Sequence, residues 1–120
     1  MRPQAIKTLV EEANITADEL MPWATLDHPL EDSYGRRLVF NSGRFEIMVM
    51  SWVPGDFSAI HDHGSTQWGA VQCFGAGDHY TYRLKQGYLS ALGTAHYSYG
   101  MVRAVSNSLI HQMGNTGNEP

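Results

Sequence analysis

The chain has 120 residues, a net charge of −4 and a single cysteine, Cys73. That length makes one domain, and the acidic balance argues against nucleic acid or an anionic membrane as partner. One cysteine excludes an internal disulfide, and no charged-then-apolar leader or membrane-length apolar run is found, so the expectation is a soluble, cytoplasmic protein.

Residues 3–12 read as a short helix with Ile6, Leu9 and Val10 on one stripe. Thr16-Ala17-Asp18-Glu19 has the form of a capping box and starts a second helical turn through Met21. This leader, residues 1–22, is expected to pack against the outside of a sheet. From Arg36 the pattern changes to strands. Arg36–Phe40 and Arg44–Trp52 flank the hairpin turn Asn41-Ser42-Gly43. Both alternating sets of the second strand are largely apolar, which predicts cover on both faces. Pro54-Gly55 turns the chain into a histidine-bearing strand. Further strands are expected at Thr66–Phe74, His79–Leu84, Tyr88–Leu92, Ala95–Tyr99, Val102–Val105 and Leu109–Met113, many separated by glycine. Many short strands without intervening helices predict an antiparallel all-β sandwich or barrel over residues 34–113, within one domain covering 1–120.

Chemistry concentrates at His61-Asp62-His63. On an extended strand residues i and i+2 project to one face, so both imidazoles point the same way and Asp62 points the other. A third imidazole from a distant strand, His111, completes three neutral nitrogen donors for one divalent metal. The pair alone is a weak signal; its frame strengthens it. Gly55-x5-His61-x-His63-x3-Gln67 precedes Gly75, and Gly100-x10-His111-x3-Asn115 follows.

These two blocks resemble the paired motifs of the cupin superfamily, which implies a double-stranded β-helix barrel with metal inside. Gln67 stands where the first motif carries glutamate, and Ser106 and Ser108 replace the usual proline and glycine of the second. With Gln67 a weak donor, the expected ligands are His61, His63 and His111. Three neutral ligands leave a dication uncompensated, which favours an anionic substrate group such as thiolate, and open cis positions suit a chelating substrate together with dioxygen. Iron(II) fits best, with zinc, nickel, copper or manganese as substitutes.

Trp52-x2-Gly55-x2-Ser58-x-Ile60-His61-Asp62-His63 is similar to the metal-strand signature of the cysteine dioxygenase (thiol dioxygenase) family. Tyr34-x-Arg36 with Leu38-Val39, Gly43-x-Phe45, and His111-x3-Asn115 with Glu119-Pro120 match it in order, so the resemblance spans residues 34–120. It implies oxidation of a small thiol, such as cysteine, to a sulfinic acid by dioxygen. It also implies a substrate carboxylate held by Arg36 and supported by Tyr34, a planar guanidinium gripping a carboxylate through two parallel hydrogen bonds. Arg37 is the adjacent competitor, and only one of the two enters the cavity. Trp68 occupies the position of the cysteine that animal members cross-link to tyrosine, which points to a bacterial-type member. The family continues past the third ligand with a serine-x-histidine-x-tyrosine segment, so the chain is expected either to be truncated or to lack that support.

Other readings stand beside this one. Another metal-dependent cupin enzyme, an isomerase or a dioxygenase of carbon substrates, and a non-catalytic metal- or small-molecule-binding cupin use the same ligands. His28 is expected to be solvated, and His79 and His96 to be ordinary strand residues. Arg36 has the alternative of an ion pair with Glu31, Asp32 or Glu46. Trp52 and Trp68 serve equally as core or pocket lining, and Cys73 is expected to be buried and inert. The oligomeric state is not legible in the sequence.

Overall fold

Pro3, whose missing N–H costs nothing in a first helical turn, opens α1 (Pro3–Glu12). The computed structural model, describing residues 2–64 and 68–120, seats this helix against strands β3 (Gly69–Gln72) and β6 (Val102–Val105). The half-buried stripe is Pro3, Ile6, Lys7 and Val10; Leu9, expected on it, is 53% exposed. The helix is rotated so that the Lys7 stem lies along the covered face while its ammonium reaches Glu11 at 3.4 Å. Thr16 caps α2 (Ala17–Leu20) through the full capping box, with the Glu19 N–H donating to Thr16 Oγ1 and the Thr16 N–H donating to Glu19 Oε1. A 3-10 turn, Met21–Trp23, ends the leader. No described helix is long and apolar enough to cross a membrane.

The fold is mostly antiparallel strand with a short N-terminal helix, compatible with a cupin barrel. β1 (Gly35–Asn41) pairs with β2 (Glu46–Ser51) across the expected turn, where Gly43 takes φ +87° and its N–H donates to Asn41 Oδ1. The register shifts between Leu38 and Phe40, leaving Val39 bulged. The expectation of cover on both faces of β2 fails at its start: Phe45 and Ile47 are 56% and 51% exposed, in a two-stranded ribbon that pairs with no further strand among the described residues.

β4 (Gly77–Lys85) lies between β5 (Tyr88–Tyr97) and β7 (Ile110–Gly114). The two strands expected at 88–92 and 95–99 are one. Gly93, read as a break, lies beside a register shift opposite Thr81 and Tyr82 and lets β5 bend without stopping. β3 starts at Gly69; Thr66 and Gln67 lie outside the described residues. Among the described residues the buried apolar side chains are Tyr97, Val102 and Val105.

Candidate metal centre

The segment before His61 runs antiparallel along the free edge of β7. Phe57 bridges to Gly114 and His61 to His111, with both backbone hydrogen bonds of the latter pair at 2.9 Å. Ser58 strengthens the seam: its N–H donates to Met113 O at 2.8 Å, and its Oγ accepts the Met113 N–H at 3.0 Å. Directly paired residues of antiparallel strands share a face. His111 therefore joins His61, and period-two alternation adds His63. The local chain conformation puts all three imidazoles together.

One ligand nitrogen from each of His61, His63 and His111 lies within 4.8 Å of the others. His61 Nδ1 donates to the Ala59 carbonyl at 2.8 Å, which fixes its proton there and leaves Nε2 as a lone pair. His63 Nε2 and His111 Nε2 are 2.8 Å apart. Two nitrogens bound at right angles to one ion at about 2.1 Å stand about 3.0 Å apart, so the cluster fits a divalent metal with a small relaxation. Asp62 is exposed and its Oδ1 accepts the Gly64 N–H at 3.1 Å, a turn contact on the face away from the cluster.

Electrostatics favour metal binding. Burial, then the neighbouring His61, His79 and His63, push the His111 pKa down to about 3. Burial and His61 also lower that of His63. Imidazoles that resist protonation keep their lone pairs for a cation at neutral pH.

Asn115, the end of the second motif, is 3% exposed and works as a clasp. Its Nδ2 donates to Trp52 O at 2.9 Å and to Glu119 O at 2.7 Å, and its Oδ1 accepts the Gly117 N–H at 3.0 Å. Trp52 in turn stacks on Tyr34, with ring centroids 4.2 Å apart. Tyr34 and Arg36 border a surface groove of about 460 Å³ with Thr25, His28, Glu31 and Asp32. Among the described residues neither is hydrogen-bonded to the three imidazoles, and their ribbon is not paired with the sheet of His111. Arg36 forms no ion pair with Glu31, Asp32 or Glu46 among the described residues; its Nε–H donates to Met48 Sδ at 3.3 Å. Arg37, on the opposite face of β1, lies over the Trp23 ring at 5.3 Å.

Two histidines depart from their sequence reading. The side chain of His28, expected in solvent, is only 6% exposed: Nε2 donates to Asp56 Oδ2 at 2.6 Å and Nδ1 to Pro29 O at 2.9 Å. The Asp56 carboxylate raises its pKa. His79 is buried on β4 and meets His111, Nε2 to Nδ1, at 2.7 Å. Its only sequence signal was its alternation with tyrosines; the contact arises from the β4–β7 pairing, which no local motif announces. His96 remains an exposed strand residue, paired with the Asp78 carboxylate. Burial raises the Cys73 thiol to about 11, so it is protonated at neutral pH, as expected of an inert cysteine.

No curated protein sequence matches this chain. The family model described as cysteine dioxygenase type I matches residues 2–118, the leader helix as well as the strands and all three imidazoles. With nearly its whole length matched, the chain belongs to the cysteine dioxygenase family of the cupin superfamily.

Proposed function

We propose that the chain is an iron(II)-dependent dioxygenase that converts a small carboxylated thiol, cysteine or a near relative, into its sulfinic acid. Family membership indicates a thiol dioxygenase, and the three converging imidazoles are the observation that carries the reading. The overall conversion balances as R–SH + O2 → R–SO2H: both oxygen atoms end on sulfur, which is oxidised by four electrons while dioxygen is reduced by four. Bound iron supplies a Lewis acid that favours thiolate and a centre where dioxygen reacts.

The chain's own residues do the rest. His61, His63 and His111 hold the metal through neutral nitrogens and add no negative charge, so an anionic sulfur is the favoured partner. Arg36 grips the substrate carboxylate, and Tyr34, braced against Trp52, supports it. The absence of an ion pair on Arg36 among the described residues, and the engagement of Arg37 with Trp23, support Arg36 as the free guanidinium. Cys73, half-buried rather than fully buried and protonated at neutral pH, does not compete as a thiolate. A reducing cytoplasm, where thiol substrates persist, is the setting this chemistry requires.

The test is oxygen uptake by the iron-loaded chain, with the product identified by mass. Thiol-dependent uptake with one sulfinate formed per O2 is expected. Uptake driven by a carbon substrate alone, or stoichiometric metal without turnover, would transfer the chain to one of the other cupin readings. Arg36→Ala is expected to raise KM for cysteine roughly ten- to hundredfold while leaving cysteamine little changed, since only the former carries the carboxylate. Equal effects on both would remove Arg36 from that role.

A further inference from the structure

Three imidazoles at one point explain His61, His63 and His111, but a fourth histidine touches the cluster from behind. His79 and Thr81 face the same side of the sheet as His111 and Met113, their register partners across the β4–β7 ladder. This brings His79 Nε2 to 2.7 Å from His111 Nδ1, the nitrogen turned away from His63. His79 is itself held: its ring stacks on Tyr97 at 5.1 Å and 27°, Tyr97 is 6% exposed, and Arg103 covers the Tyr97 ring at 5.8 Å. A column of four side chains thus ends on one imidazole of the cluster.

A neutral imidazole carries one proton on its two ring nitrogens. His111 faces the cluster with Nε2, so it can serve as a ligand there only when its proton sits on Nδ1. An acceptor at Nδ1 selects that form. We propose that His79 is a positioning residue for the metal centre, accepting the Nδ1 proton of His111 on its own Nε2 and so holding the His111 Nε2 lone pair toward His61 and His63. The inference rests on the metal reading above. Ala59 O does the same service for His61, at 2.8 Å. The two ligands that face each other across the backbone seam are therefore both preset, one by a carbonyl and one by a side chain. Outer partners of this kind fix ring orientation and raise ligand basicity, and their loss costs about 10–100-fold in metal affinity.

Two substitutions separate hydrogen bonding from packing. His79→Phe keeps a ring against Tyr97 but removes the acceptor. His79→Gln removes the ring but offers an amide oxygen near the place of Nε2. Cobalt(II) alone is the probe, its affinity measured by chelator competition and its coordination by visible absorption, with circular dichroism checking the fold. The expected result is about 10–100-fold weaker cobalt binding for His79→Phe and near-native binding for His79→Gln. Nitrogen-15 spectra of the metal-free wild-type chain are expected to show His111 protonated at Nδ1, a readout that requires no variant. Native affinity in His79→Phe, equal losses in both variants, or a His111 proton on Nε2 overturns the proposal. A chain that binds cobalt with this pattern yet oxidises no thiol sustains the His79 assignment and defeats the reaction proposed above; a wild-type chain that binds no cobalt defeats both.

Discussion

At the residue scale, the histidines of this chain pull its stability in opposite directions with pH. His111 has a folded pKa of about 3 against 6.5 when exposed, and those of His63 and His79 are also lowered. A depressed histidine contributes stability that is complete above pH 6.5 and lost as the unfolded chain takes up protons the folded chain refuses. Metal-free protein should therefore weaken on acidification from pH 6.5 toward 3, by at most about 1.4 kcal/mol per pH unit from His111, with His63 and His79 acting in the same direction. His28 works the other way. Its pKa is raised, so its pairing with Asp56 stabilises below pH 6.5 and fades as pH climbs through the folded value. Urea titrations across this range should show His28→Gln losing stability on the acid side and little on the alkaline side. A uniform loss at every pH would contradict the sign argued here. His111→Ala is expected to abolish metal retention; undiminished metal content would reject it as a ligand.

At the element scale, the segment that follows the leader is locked to the β1–β2 ribbon where Gly35 begins β1. Thr25 N–H donates to Ser51 Oγ at 2.9 Å, and Gly35 pairs with Ser51. A Cβ on Gly35 would lie 2.1 Å from Thr25 O, a backbone atom with little room to yield. Gly35→Ala should cost about 1–3 kcal/mol, read as a lowered urea midpoint. By contrast Ile47→Thr, at the bare end of β2, should stay within about 0.5 kcal/mol of the native chain. These contrasts mark what was legible in the sequence. The histidines two positions apart, the capping box at Thr16 and the Asn-Ser-Gly hairpin were readable because each depends on residues close in sequence, although the strand expected around His61 is reduced to isolated bridges at Phe57 and His61. Position 79, the rotation that exposes Leu9, the continuity of β5 through Gly93 and the burial of His28 were not. Each of these follows from which distant segment lies alongside, information that periodicity does not carry.

At the scale of the whole molecule, the chain is open for its size. Its accessible surface is 8224 Å², where a compact monomer of its mass exposes about 6,500 Å². With a small apolar core of Tyr97, Val102 and Val105, side-chain ties carry weight. The Asp78 carboxylate holds both Thr116 and His96, which lowers its pKa and pins the chain after β7 to β4. Asp78→Asn should destabilise at neutral pH, with the difference narrowing below the ordinary carboxylate range, where the native aspartate is protonated too. A bound metal should matter more to so open a fold than to a densely packed one. At a free concentration of 100 Kd an ion that binds only the folded chain adds about 2.7 kcal/mol. Calorimetry with and without a strong chelator should show this as a large drop in Tm, and overlapping melts would argue against a folded-state metal site.

The seam between His61 and His111 also has a mechanical meaning. His63 and His111 are 48 residues apart in sequence, yet their ring nitrogens nearly touch. An ion gripped by both is a knot drawn between distant stretches of thread. Pulled from its two ends in an optical trap, the loaded chain should come up short by roughly 160 Å of contour, the extended length of those 48 residues, until the ion lets go.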